Sequence, residues 1–188
     1  MTTGRILNIP NILTLARIAL IPVFLLVAYW PPIIGAAEQD SNMTRHMILT
    51  AIFVVAAITD WFDGYLARSL NQTSAFGRFL DPVADKLMVA AALIVLVQWQ
   101  PSISMAFAAI VIISREITVS ALREWMAELG ARTSVAVSTV GKYKTAFQMI
   151  AISVFLLNWQ PLETLAYLLL YTAVILTLWS MFIYLKAA

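Results

Sequence analysis

The chain has 188 residues, 62% of them hydrophobic and only 12% charged, with a mean hydropathy of +0.87. A soluble domain of this length cannot hide so much apolar surface, so composition predicts an all-α integral membrane protein; barrel strands would instead alternate apolar and polar residues. Absence of cysteine excludes disulfides and thiol catalysis, and a net charge of +2 with a pI near 9.0 fits an anionic lipid surface and gives no reason to expect nucleic acid as a partner.

Apolar runs at residues 9–30, 46–68, 77–98, 102–123, 140–158 and 162–185 predict six transmembrane helices in a single bundle covering 1–188. Met1–Asn8 has no small-residue cleavage site after a short apolar core, so no cleavable signal peptide is expected. In the first run Asn11, Thr14 and Arg17 recur at intervals of three, and that face is expected to turn inward; alternatively, the polar residues cap the helix near Pro10. The run stops at Trp30-Pro31, an interfacial tryptophan followed by a helix-stopping proline. The second run opens at His46, which beside Arg45 is expected to be solvated, and closes on Asp60, Asp63, Gly64 and Arg68. The third carries Gly77, Asp81 and Asp85 at intervals of four and stops at Trp99-Gln100-Pro101.

The fourth run is apolar from Met105 to Ile113 and then meets Arg115. Glu116 is the adjacent acid, but neighbouring helical residues point about 100° apart, so that pairing is expected to be poor and Arg115 is expected to face a ligand. Arg123, Glu124, Glu128 and Arg132 read as a solvated cytoplasmic helix end, from which Arg123 could alternatively reach the site. The fifth run opens with Lys142 and Lys144, and Gly141, Lys144, Thr145 and Gln148 share one helical face. Each lysine is either a ligand-binding cation or an interfacial anchor that snorkels. A third tryptophan–proline boundary, Trp159-Gln160-Pro161, precedes the sixth run.

Arg5, Arg68, Arg78, Arg123, Arg132, Lys142, Lys144 and Lys186 fall on one side of these helices, against Arg45, Glu38, Asp40 and Glu163 on the other. The positive-inside rule therefore predicts that both termini are cytoplasmic. The halves do not repeat one another, and the charges gather at one interface, which argues against a transport pathway.

Four aspartates, Asp60, Asp63, Asp81 and Asp85, lie in this apolar setting. Each carboxylate costs roughly 2.5–3.5 kcal/mol at a helix centre, so intramembrane acids default to a functional reading. If residues 57–68 are helical, Asp60, Asp63, Gly64 and Ala67 share a face, as do Gly77, Asp81 and Asp85 on the next helix. The short connection predicts antiparallel neighbours with opposed acidic faces. Like charges at this density need a counter-charge, and two divalent cations balance four carboxylates. Hard oxygen ligands favour magnesium or manganese, in a dinuclear site able to hold a pyrophosphate. Gly64 and Gly77 let a ligand approach the backbone, or let helices pack closely.

DWFDGYLAR, eight residues, Gly77, three residues, Asp81, three residues and Asp85 resembles the signature of the CDP-alcohol phosphotransferases, D-x2-D-G-x2-A-R-x8-G-x3-D-x3-D, at every specified position. NIPNILTLAR, ISREITVSALREWMAELG and GKYKTAFQ extend the resemblance along the chain, toward bacterial members that use glycerol 3-phosphate. The resemblance implies phosphatidyl transfer from CDP-diacylglycerol to the 1-hydroxyl of sn-glycerol 3-phosphate, giving phosphatidylglycerophosphate and CMP. It implies Asp60, Asp63, Asp81 and Asp85 as ligands of two Mg2+ or Mn2+ ions, with Asp85 also the proton acceptor. Asn11, Thr14, Gly64, Arg68, Ser74 and Gly77 would hold the CDP portion; Arg115, Lys142 and Lys144 would hold the glycerol phosphate. It further implies a homodimer among the lipids of a bacterial inner membrane, with the site toward the cytoplasm. The metal motif does not choose among acceptors, so serine, inositol, inositol phosphate and phosphatidylglycerol stay open. An ion transporter predicts uptake by proteoliposomes, and a lipid-binding scaffold predicts no CMP release.

Overall fold

A computed structural model of the chain describes residues 9–30, 38–69, 75–128 and 139–187. These form helices α1 (Ile9–Tyr29), α2 (Glu38–Ser69), α3 (Ala75–Trp99), α4 (Ile103–Glu128), α5 (Thr139–Leu157) and α6 (Glu163–Ala187), with a 3-10 turn at Gln160–Leu162. There is no strand among the described residues. All six expected helices are present, and five are long and apolar enough to cross a membrane. The apolar part of α5, Tyr143–Leu157, falls below that length. Its first turn is spent on Gly141 and Lys142, which hydropathy alone folds into the span.

α2 begins eight residues before the expected position 46, because Glu38 to Arg45 is polar yet helical. The acidic residues Glu38 and Asp40 lie in its first turn, where the helix dipole favours negative charge. The tryptophan–proline boundaries hold: α1 stops at Tyr29, α3 at Trp99 and α5 at Leu157. Ser102, following Pro101, starts α4 by accepting a hydrogen bond from the Met105 amide at 3.1 Å. Asn158 takes a left-handed φ of 52° just after α5, a conformation asparagine tolerates better than most residues. Pro22 and Pro82 lie inside α1 and α3.

The chain divides into two compact units, Met1–Val95 with Leu156–Asn158, and Leu96–Phe155 with Trp159–Ala188. In the first, α1 packs along α2, with Phe24, Ala28, Leu49, Phe53 and Ala56 buried. α3 contributes Ala84, Met88, Ala92 and Leu93 to the buried set. In the second, α4 packs on α6, and the small residues Ala108, Ala109, Ala166 and Ala173 are buried, as suits close helix contact in lipid. Phe155 and Tyr167 meet edge to face at 4.9 Å. Outward, Ile103, Ile110 and Ile117 form an exposed apolar ridge on α4. Hydroxyls within the helices bond to the carbonyl four residues back, as Thr50, Thr59, Thr118, Ser153 and Thr172 do, which satisfies them without water.

His46 corrects the expectation of a solvated bystander. It is half-buried in the first unit, where its Nδ1 lies 2.9 Å from the Leu156 carbonyl and its Nε2 lies 3.3 Å from Asn158 Nδ2. The carbonyl can only accept, so Nδ1 carries the proton and Nε2 accepts from the carboxamide. The early start of α2 leaves His46 two turns inside a helix instead of at its exposed end.

Candidate active site

In the first unit, α1 presents Asn11, Thr14 and Arg17 on one face, and all three are buried. This agrees with the inward face expected from their spacing. Arg17 is 1% exposed, and its Nη1 donates to Asp60 Oδ1 at 2.5 Å, on a side chain 43% exposed. The cation's partner had no signal in local spacing, since 43 residues separate the two. A buried arginine in an apolar helix does demand an anion, and that requirement was the available clue.

α2 is helical through Ser69, so Asp60, Asp63 and Gly64 occupy one face by register, with Arg68 a turn further on. α3 likewise carries Gly77, Asp81 and Asp85 at intervals of four. Asp85 is half-buried and Gly77 buried. The side chains of Asp63, Arg68 and Asp81, and the whole of Ser74, lie outside the described residues. Charge balance among the aspartates is altered by one finding: Asp60 has a counter-charge from the protein itself, in Arg17.

The second unit holds a buried polar cluster that joins three helices. Arg115 on α4 is 8% exposed, and its Nη1 donates to Glu116 Oε1 at 2.8 Å. Lys144 on α5 donates to the same oxygen. Arg115 Nη2 donates to Ser180 Oγ on α6 at 3.0 Å. Two buried cations thus share one carboxylate oxygen. The Arg115 Nε, Gln148 Oε1 and Thr177 Oγ1 atoms are buried with no hydrogen-bond partner.

This cluster corrects the expectation that Arg115 and Glu116 are poorly placed for each other. The guanidinium is long enough to reach back across the angle between adjacent side chains, and Lys144 draws the carboxylate to the same point. Lys144 is 5% exposed and ion-paired, so it is not a snorkelling anchor. Gln148 shares its buried face, whereas Thr145 is exposed. The side chains of Lys142 and Arg123, and all of Arg132, lie outside the described residues. Ser180 and Thr177 escape a sequence reading because a hydroxyl in an apolar helix ordinarily bonds its own backbone.

Comparison with known proteins covers nearly the whole chain. A family model described as CDP-alcohol phosphatidyltransferase matches residues 7–179. A protein of Pectobacterium atrosepticum is 51% identical over 184 residues, 96% of this chain and 94% of its own length. One of Haemophilus influenzae is 50% identical over 182 residues, 96% of this chain and 93% of its own length. One of Salmonella typhimurium is 48% identical over 188 residues, 96% of this chain and 94% of its own length. All three relatives carry the name CDP-diacylglycerol–glycerol-3-phosphate 3-phosphatidyltransferase.

Proposed function

The chain belongs to the CDP-alcohol phosphatidyltransferase family, and from that membership we propose that it transfers the phosphatidyl group of CDP-diacylglycerol to sn-glycerol 3-phosphate. The products are phosphatidylglycerophosphate and CMP, so the enzyme serves anionic phospholipid biosynthesis. Relatives at about half identity along almost the full length bear the name of this activity. The protein is a multi-pass membrane transferase.

Members of the family generally depend on divalent metal ions. The donor set fits them: it offers carboxylate oxygens alone, and Asp60 and Asp85 are both open enough to meet a hydrated cation. Asp60, Asp63, Asp81 and Asp85 would hold two magnesium or manganese ions, which supply positive charge to a diphosphate and to the phosphoryl group in transfer.

The chain's own residues do the rest. Asn11, Thr14 and Gly77, with Gly64, Arg68 and Ser74, bind the CDP portion; Arg68 suits a diphosphate because guanidinium donates in pairs. Asp85 accepts the proton of the acceptor's 1-hydroxyl as that oxygen attacks the phosphatidyl phosphorus. The anhydride bond to CMP breaks in the same displacement. Arg115, Lys144 and Lys142 take the acceptor's phosphate. The observation that carries the acceptor choice is the buried pair of cations sharing a single carboxylate. Distribution of Lys and Arg supports cytoplasmic termini and a site facing the cytoplasm of a bacterial inner membrane. We take the functional state to be a homodimer.

The test is acceptor competition, with purified protein, CDP-diacylglycerol and magnesium. Glycerol 3-phosphate is set against serine, inositol and inositol phosphate, and CMP release is measured with product identity. Glycerol 3-phosphate should outcompete the others, and product from serine or inositol alone would overturn the acceptor assignment.

A further inference from the structure

We propose that Glu116 is an internal counter-ion that occupies the acceptor's anion subsite and is displaced by the incoming phosphate. This rests on the assignment of Arg115 and Lys144 to the acceptor. It adds a role for the carboxylate between them.

Two features of the cluster point this way. First, Glu116 Oε1 receives both Arg115 Nη1 and Lys144 Nζ, so one oxygen stands where a ligand oxygen would stand. Second, Glu116 is 21% exposed, against 8% for Arg115 and 5% for Lys144. The carboxylate is the most exposed member, covering two cations that are themselves buried.

A phosphate monoester meets these donors better than one carboxylate oxygen can. It carries up to two negative charges and three terminal oxygens, enough for Nη1 and Nζ together. A neutral hydroxyl offers a weak acceptor and no counter-charge, so it cannot replace Glu116 beside two buried cations. The exchange of carboxylate for phosphate therefore selects a phosphorylated acceptor. In its absence, Glu116 keeps the two cations paired.

This role makes a counterintuitive demand: removing the negative charge should strengthen anion binding. The experiment titrates inorganic phosphate, and separately sn-glycerol 3-phosphate, into the full-length protein in detergent micelles by calorimetry. CDP-diacylglycerol is left out, so nothing turns over. Glu116→Gln should bind phosphate about tenfold more tightly than wild type, which is a modest gain for a like charge removed at contact distance. Glu116→Asp, which draws the charge back by one methylene, should fall between the two and serves if the glutamine variant does not fold. Arg115→Gln and Lys144→Gln should lose most of the binding.

If both Glu116 variants bind phosphate no better than wild type while Arg115→Gln abolishes binding, the counter-ion role is overturned and the acceptor subsite stands. If wild type does not bind phosphate, or binds it undiminished in Arg115→Gln, the acceptor assignment itself fails.

Discussion

The Arg17–Asp60 pair is asymmetric, and that asymmetry predicts unequal costs for removing its two ends. Arg17 is 1% exposed and Asp60 is 43% exposed, at 2.5 Å from each other. Asp60→Ala takes from a buried guanidinium the carboxylate that its Nη1 meets, and leaving that buried charged donor unsatisfied costs about 3 kcal/mol. Arg17→Met keeps much of the buried stem and leaves a carboxylate that water already reaches. Its cost should be that of one charge-assisted hydrogen bond, about 1–2 kcal/mol. The double variant should cost less than the sum of the singles, because the Arg17–Asp60 contact can be lost only once. The assay is unfolding of the purified protein in mixed micelles by stepwise addition of SDS, followed by tryptophan fluorescence. EDTA is present throughout, so that loss of a bound metal does not enter the difference. An Arg17→Met cost equal to or above that of Asp60→Ala would refute the reasoning, as would simple additivity in the double variant.

Asp81→Ala should abolish magnesium-dependent CMP release while leaving the protein folded, and retained turnover would undo the two-metal assignment. Gly77→Ala is expected to change stability by no more than about 1 kcal/mol, since alanine is the better helix former. Its KM for CDP-diacylglycerol should nevertheless rise several-fold, with that for glycerol 3-phosphate unchanged; equal KM values for the lipid would return Gly77 to a packing role. His46→Ala loses the contacts to Leu156 and Asn158, a cost of about 1–2 kcal/mol in the same unfolding assay. Turnover at low temperature should match wild type, and a specific loss of kcat would contradict a purely structural histidine.

Helix number and order are legible in the sequence because lipid removes the competing options: each apolar run must be a helix or part of a barrel, and the tryptophan–proline pairs mark where the runs stop. The inward face of α1 is legible too, since three polar residues at one spacing have nowhere else to turn in an apolar helix. What local spacing does not carry is partnership across the fold. Arg17 and Asp60 lie on different helices, as do Lys144 and Glu116, and periodicity says only which face each occupies. Arg115 with Glu116 shows a different limit. Angles between neighbouring Cβ atoms predict a poor contact, but a long side chain crosses that angle when a third group fixes the meeting point. His46 escaped because a polar stretch can still be helical, and hydropathy then sets the start of α2 too late.

The apolar stretch of α5 has a consequence for the surrounding membrane. At 1.5 Å per residue, Tyr143–Leu157 covers roughly 22 Å, against about 30 Å of hydrocarbon in an ordinary bilayer. Along that flank the bilayer must thin, or its polar boundary must dip toward the level of Lys144. Mismatch of this kind costs fractions of a kcal/mol per Å, comparable in sum to one good hydrogen bond. Membrane thickness therefore acts on the same helix that carries Lys144 of the buried cluster. The lipid that this enzyme helps to make is part of the solvent that sets its working geometry.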